Sequence, residues 1–416
     1  MGGTVAFPRP AAGHQTRGVA PTLAQFTAEA RAFLDANAAR VHTDEFTWGI
    51  GSDEITVYAE KNEAEEAAAV RAAQRWRAEM WDAGFGWITG PPEFGGRGLG
   101  PEYERAYLDL EATYRVPSQT VFGTALGVVA PTLLAHGSDW LKQRYLVGLF
   151  RGEILACQLL SEPGAGSDLA SLSTRAVRDG DQWVINGQKV WSSRAHYSHI
   201  GLLLARTDPD APKHQGITAF IHPLDTAGTE VRPLRQMTGG SEFNEVFFED
   251  ARISDRYRVG GVNAGWSVFR TTLQSERASI GARGAGYGGS GLVGLAAPER
   301  VVRLARHLGL ADDPTVRQNL ARLYTGHRLV EWNATRRPAI PPAAAKYGTA
   351  RHMNWAASMI AGLLGPRICA DTGEWGTYAW KQLLLGTPAM RIGGGTDEVM
   401  KNSVGEGVLG LPREPR

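Results

Sequence analysis

Glu276 is a carboxylate set among apolar residues. In NAGWSVFRTTLQSERASIGARG, Trp266, Phe269, Leu273 and Ile280 recur at steps of three, four and seven, the stripe of an amphipathic helix. Glu276 divides the last step into three and four, so its side chain points with the apolar face, toward the interior. A carboxyl drawn out of water resists ionisation, and its pKa rises toward the range a general base needs. The same placement also suits a structural ion pair with Arg270 or Arg283, or a glutamate at the stripe's edge. Periodicity leaves these readings open.

Three glycine-rich segments are the other candidates. SEPGAGSD, residues 161–168, gathers small residues and turn formers whose backbone N–H groups can bind phosphate or pyrophosphate oxygens. Ser161 and Ser167 add hydroxyl donors, although such a segment is also an ordinary loop. RIGGGTDEVMKN runs three glycines into a helix start with Asp397 and Glu398 in the first turn. Those acids compensate the helix dipole and argue against a bare phosphate, while the glycines permit close backbone approach to a neutral carbonyl. GAGYGG places Gly284, Gly286 and Gly289 as GxGxxG, but after a helical stretch rather than a strand. Close helix packing is expected there, not a dinucleotide fingerprint. His196 and His199 read as strand residues on opposite faces, so no metal site is expected.

Several domains must frame these residues. A chain of 416 residues has a soft prior of two or three. Hydrophobic residues at 43% allow a large core, and 44 basic against 43 acidic residues leave a net charge of +1, without the basic excess of a nucleic-acid binder. No apolar run approaches the ~20 residues of a membrane helix. Two cysteines, Cys157 and Cys369, make no disulfide framework, and a reducing, cytoplasmic setting is expected. Residues 1–21 have no acid and no apolar signal core, and read as a disordered tail. Residues 22–155 carry helical periodicity, with breaks at Gly84, Gly86, ITGPPEFGGRGLG and Pro131. Residues 156–263 change to short strands, with Asn186-Gly187 read as a hairpin turn inside QWVINGQKVWSS. HIGLLLAR, GITAFIHPL, TEVRPLR and NEVFFEDARI continue the β module, an antiparallel barrel or sandwich. Residues 264–416 return to the helical period, broken at RPAIPPAA and at the three glycines 393–395.

Taken in order, LLSEPGAGSD, INGQKVWSS, FFEDARI, NAGW and GGGTDEVMKNSVGEGVLGLPREP resemble the acyl-CoA dehydrogenase family. GPPEFGGRGLGPEYERAYLDLE is similar to its WPxxxGGxG segment. The resemblance implies an α+β multidomain fold: an N-terminal helical domain, a middle antiparallel β-barrel and a C-terminal four-helix bundle. It places FAD between the β module and the bundle, completed by a neighbouring subunit. By position, Leu160 and Ser161 match contacts to the flavin ring, Trp191 and Ser193 the pair at its exposed edge, and Thr396 and Glu398 the C-terminal flavin contacts. Ser167 matches a hydroxyl near the pyrophosphate and thioester. The chain departs from the best-known members where their catalytic Glu precedes Gly-Thr, a place held here by Gly394. A branch of the family carries the base before an Arg on the first bundle helix, here Glu276-Arg277, the glutamate the periodicity singles out. The partner-reaching Arg-x-x-Phe-Gly becomes Arg306-His-Leu-Gly, and the Gln-containing segment before Gly-Gly becomes AGLLGP.

The implied reaction is α,β-dehydrogenation of an acyl-CoA or acyl-carrier thioester to the trans-2-enoyl thioester. Glu276 takes the α-proton and flavin N5 the hydride, with the Gly394 N–H on the thioester carbonyl and Arg277 beside the substrate. An electron-transfer flavoprotein is the implied acceptor, and a homodimer or homotetramer the implied assembly, with a heteromer as the alternative. A flavin monooxygenase or oxidase on the same scaffold is the runner-up chemistry.

Overall fold

The computed structural model describes residues 20–41, 47–55, 63–284, 295–336 and 339–413. Residues 1–19, and GAGYGG beyond Gly284, lie outside the described residues. The N-terminal third comprises α1 (Leu23–Asn37), β1 (Ala39–Arg40), α2 (Glu63–Asp82), α3 (Pro101–Glu111), β2 (Tyr114–Arg115), α4 (Ala130–His136) and α5 (Asp139–Arg151). Thr22 and Gln25 form a capping box for α1, each side chain satisfying the other's backbone N–H. Pro131, expected as a break, does not end the helical path: α4 continues directly from the π-helical turn Ala125–Val129, with helical backbone at Val129 and Ala130, and the irregularity is that wider turn just before the proline.

The central sheet holds β3 (Ala156–Leu159), β4 (Arg175–Asp179), β5 (Gln182–Lys189), β6 (Ile200–Arg206), β7 (Ile217–Pro223), β8 (Thr229–Leu234), β9 (Phe243–Ser254) and β10 (Arg258–Val259). Its order is β10-β7-β6-β4-β5-β9-β8, mainly antiparallel, with β3 lying parallel beside β6. β6 and β7 are buried on both faces. Ile200, Leu202, Leu204, Ile217, Ala219 and Ile221 meet the helices, while Leu203 and Phe220 fill the sheet's other core.

The Asn186-Gly187 hairpin turn is not formed. β5 runs straight through it, with a bulge between Ile185 and Gly187 against β9, and the connection between β4 and β5 is Gly180-Asp181. Asn186 exchanges two hydrogen bonds with Asp250 across the bulge, at 2.9 Å each. Long-range pairing thus overrides the local turn signal. The His196 reading changes too, since Ala195–Tyr197 are a single 3-10 turn and β6 begins only at Ile200.

The chain then enters α6 (Gly265–Gly284), α7 (Pro298–His307), α8 (Pro314–Thr335), α9 (Pro342–Leu364), α10 (Lys381–Met390) and α11 (Asp397–Gly407). α7, α8 and α9 each open on proline, whose fixed φ suits a first helical position. α6 starts hard against β7. A Cβ on Gly265 would stand 2.8 Å from the Ile217 carbonyl oxygen, so only glycine admits this approach. Asn263 takes a left-handed φ of 62° just before it, its N–H donating to Thr218 Oγ1 at 2.8 Å. Val268 and Phe269 then bury into the core that joins sheet and helices.

A segment far away in sequence completes the C-terminal bundle. Residues 47–55 lie across α7 and the turn before α10. Ile55 is buried among Val301, Leu304, Leu323, Met353 and Trp380. Trp48 packs edge-on to Trp375 at 4.9 Å, and Arg300 donates to the Asp53 carbonyl.

Candidate active site

Along β3, Cys157 and Leu159 belong to the inner core, so Ala156, Gln158 and Leu160 face the helices. From that face the Gln158 amide nitrogen donates to Glu276 Oε2 at 3.2 Å. Among the described side chains of α6 the buried positions are Gly265, Val268, Phe269 and Thr272, and Glu276 continues the Val268–Thr272 row by one further turn. Its side chain is half-buried rather than sealed. Two contacts fix the helix one turn earlier: Thr132 Oγ1 lies 3.1 Å from Thr272 Oγ1, and His136 Nε2 lies 2.8 Å from Thr271 Oγ1.

Past Leu160 the SEPGAGSD loop is held by a buried ion pair. Lys189, fully buried at the end of β5, donates to Glu162 at 2.7 Å and to the Leu160 carbonyl at 2.9 Å. Glu162 also accepts from the Ser173 N–H and hydroxyl and from the Thr174 N–H. Burial works against its ionisation, but the Lys189 ammonium and these donors prevail and hold the carboxyl at about 2. Burial pulls the Lys189 ammonium down to about 8 against the pull of Glu162, which leaves it charged at neutral pH. The Val190 N–H donates to the Ser161 carbonyl at 2.9 Å, so the ends of β3 and β5 meet. Leu160 and Ser161 at the end of β3 therefore lie alongside the Val190–Trp191 end of β5.

Trp191 is 60% exposed and held at φ 60°, with its indole edge-on to Phe243 at 5.8 Å. A large bare aromatic face in left-handed backbone suits a planar ring ligand. The neighbouring Ser192 hydroxyl is buried with no hydrogen-bond partner among the described residues. Ser167 is exposed, and Cβ atoms on Gly164 and Gly166 would meet nothing within 4 Å. These glycines leave room above the backbone.

The C-terminal cluster sits on α9, which packs against α6. Gly394 and Gly395 adopt φ values of 69° and 98°, conformations that side chains disfavour. The buried Lys346 of α9 donates to the Gly395 carbonyl. Thr396 caps α11 through the Val399 N–H, and buried Asp397 pairs with Arg391 at 2.7 Å. Glu398 is exposed beside a cavity of about 330 Å³ lined by Asn354, Pro388, Arg391, Ile392, Thr396 and Asp397. Arg306 stands apart, exposed in the last turn of α7, where His307 bonds Glu374 at 2.9 Å. The side chain of Arg277 lies outside the described residues.

Sequence reading missed Gln158, the Lys189–Glu162 pair and Lys346. For Gln158 a signal existed, an amide alone in the apolar run ILACQLL. The lysines find their partners only through strand ends and helix packing. Among the described residues no His/Cys/Asp/Glu cluster could hold a metal ion, and no helix is long and apolar enough to cross a membrane.

Three family models match in succession: the acyl-CoA dehydrogenase N-terminal domain over residues 50–153, the middle domain over 157–251 and the C-terminal domain over 263–409. Acyl-CoA dehydrogenase IpdE1 of Mycobacterium tuberculosis is 38% identical over 360 residues, covering 84% of this chain and 91% of the relative. FadE29 of the same organism, also an acyl-CoA dehydrogenase, is 31% identical, covering 88% and 94%. Among solved structures, the Tcur3481-Tcur3483 steroid ACAD superposes with a TM-score of 0.71 at 28% identity, covering 94% and 98%. The ChsE4-ChsE5 complex from Mycobacterium tuberculosis gives 0.68 at 26% identity, covering 96% and 100%. The chain belongs to the acyl-CoA dehydrogenase family, and is an FAD-dependent enzyme of acyl-CoA dehydrogenation.

Proposed function

We propose that this enzyme converts an acyl-CoA or acyl-carrier thioester to its trans-2-enoyl form with Glu276 as the base. The observation that carries the reading is the Gln158–Glu276 hydrogen bond, which sets the carboxylate beside the strand end of Leu160 and Ser161. Glu276 accepts the proton from Cα of the thioester. The Gly394 N–H donates to the thioester carbonyl, where charge develops as that proton leaves. Bound FAD would supply the hydride acceptor for the β-hydrogen. The Trp191 indole and the Leu160, Ser161 and Ser193 backbone would wall its ring, Ser167 and the open SEPGAGSD backbone would hold the pyrophosphate end, and Thr396 and Glu398 would bind from the C-terminal side. Arg277 lies one residue beyond the base and steadies the thioester.

The acyl group is proposed to be bulky, in line with the steroid ACAD among the similar structures. The assembly is proposed to be oligomeric, with Arg306 serving a neighbouring subunit's FAD and an electron-transfer flavoprotein taking the electrons. The departures in Arg306-His-Leu-Gly and AGLLGP, with two unlike chains named in both similar structures, favour paired unlike subunits over identical ones. Native mass spectrometry of the co-purified protein reads this directly, and a homotetramer with four FAD removes it.

Anaerobic flavin bleaching against a panel of short, branched and polycyclic acyl-CoAs and carrier-protein thioesters tests the reaction. Glu276→Gln is expected to retain FAD and slow bleaching about 10²–10⁴-fold. Unchanged bleaching in that variant removes Glu276 from the role of base.

A further inference from the structure

We infer that Gln158 is a positioning residue for Glu276, an amide on the sheet that holds the carboxylate ionised and aimed from the side opposite its own helix. The inference rests on the reading of Glu276 as base. Gln158 lies on β3 in register with Leu202 of β6, between Cys157 and Leu159, both fully buried. Its backbone is therefore locked by a parallel strand pair, and strand alternation turns its side chain out of the inner core toward α6. At 3.2 Å its Nε2 donates to Glu276 Oε2.

A neutral amide has physical consequences that a charged partner would not have. It donates to the carboxylate but has no proton to exchange near neutral pH, so it favours the ionised form without competing for the substrate's proton. It also anchors the base to the same strand that leads into Leu160 and Ser161. Base and proposed flavin contacts thus share one rigid element, and their spacing does not depend on the loop that separates sheet from bundle.

The elements packed against α6 carry other ionisable groups, of which His222 lies on the far face of β7, against Phe248 in the sheet's other core. His136 of α4 bonds Thr271, His222 of β7 bonds Thr229, and Lys346 of α9 bonds the Gly395 carbonyl. His352 of α9 stacks beside Trp355, and His327 of α8 pairs with Glu331 at 3.3 Å. On α6 itself Arg270 is exposed, and the Arg277 and Arg283 side chains lie outside the described residues. Gln158 differs from all of these in donating from the strand that carries the flavin-side residues.

The test uses the FAD-loaded enzyme and Q158L, Q158E and E276Q. Infrared difference titration against E276Q isolates the carboxyl of residue 276 and reads its midpoint with no substrate present. Q158L is expected to raise that midpoint by about one pH unit, and Q158E by more, because a second carboxylate disfavours the charge. The acid limb of anaerobic flavin reduction should move alkaline by the same amount, measured with the acyl-CoA that bleaches the unmodified enzyme fastest. The reduction rate falls in that limb while apparent substrate affinity holds. A midpoint that stays put in both Gln158 variants overturns the inference and leaves Glu276 as base. Flavin reduction at the unmodified rate in E276Q overturns the base itself, and with it the inference, whatever the infrared midpoint does.

Discussion

Two glycine-rich loops flank the candidate site, and each is tied down by a buried lysine on a backbone carbonyl. Lys189 holds the Leu160 carbonyl before Gly164 and Gly166, and Lys346 holds the Gly395 carbonyl. The glycines themselves differ. Gly164 and Gly166 have open space and no left-handed φ, whereas Gly394 and Gly395 are at 69° and 98°. The first loop therefore takes its shape from side chains, chiefly Glu162, and its glycines serve to leave room. The second takes its shape from the glycines, and its side chains only fasten it. A similar composition answers to two different physical needs.

Substitutions at the first loop's ion pair should do the most harm. Lys189→Met leaves Glu162 buried without its cation and should cost about 3–5 kcal/mol, read by chemical denaturation, with FAD content falling in parallel. Acid should act on the same pair. Because the Glu162 carboxyl is held at about 2 in the folded state, below its unfolded value, its contribution is complete above the ordinary glutamate range and is lost as pH falls toward 2. A pH series of unfolding curves should show that loss, and Glu162→Gln should flatten it. Gly395→Ala should cost about 1–3 kcal/mol, since a Cβ there meets left-handed strain and stands 2.6 Å from Met400 Cε. Gly164→Ala should change stability by less than about 0.5 kcal/mol. Its effect should appear only in FAD retention, and a large drop in melting temperature would erase the contrast between the loops.

Helical periodicity and the resemblance single out Glu276 independently, and what the structure adds to them is the Gln158 hydrogen bond. The three-part division of texture was legible because helical and strand periodicities are local. Asn186-Gly187 misled because a turn signal counts only neighbours in sequence, while the β5–β9 pairing and the Asn186–Asp250 bonds are made by residues 64 apart. His196 misled because the 3-10 turn Ala195–Tyr197 ahead of β6 has no glycine or proline to mark it. Lys189 gave no warning at all. A lysine closing a strand reads as solvated, and only the fold brings Glu162 to it from 27 residues away.

The segment 47–55 has a consequence in time. Asp53 leaves the ribosome 247 residues before Arg300, its hydrogen-bonding partner, so Ile55 and Trp48 wait for a seat that is not yet synthesised. At about 5–20 residues per second that delay lasts on the order of ten seconds or more, and the bundle cannot close its core before the delay ends. A C-terminal fragment from residue 264 onward should accordingly melt early, and a peptide of residues 47–55 added in trans should raise its melting temperature. The last helices synthesised complete a structure whose missing piece was made near the beginning.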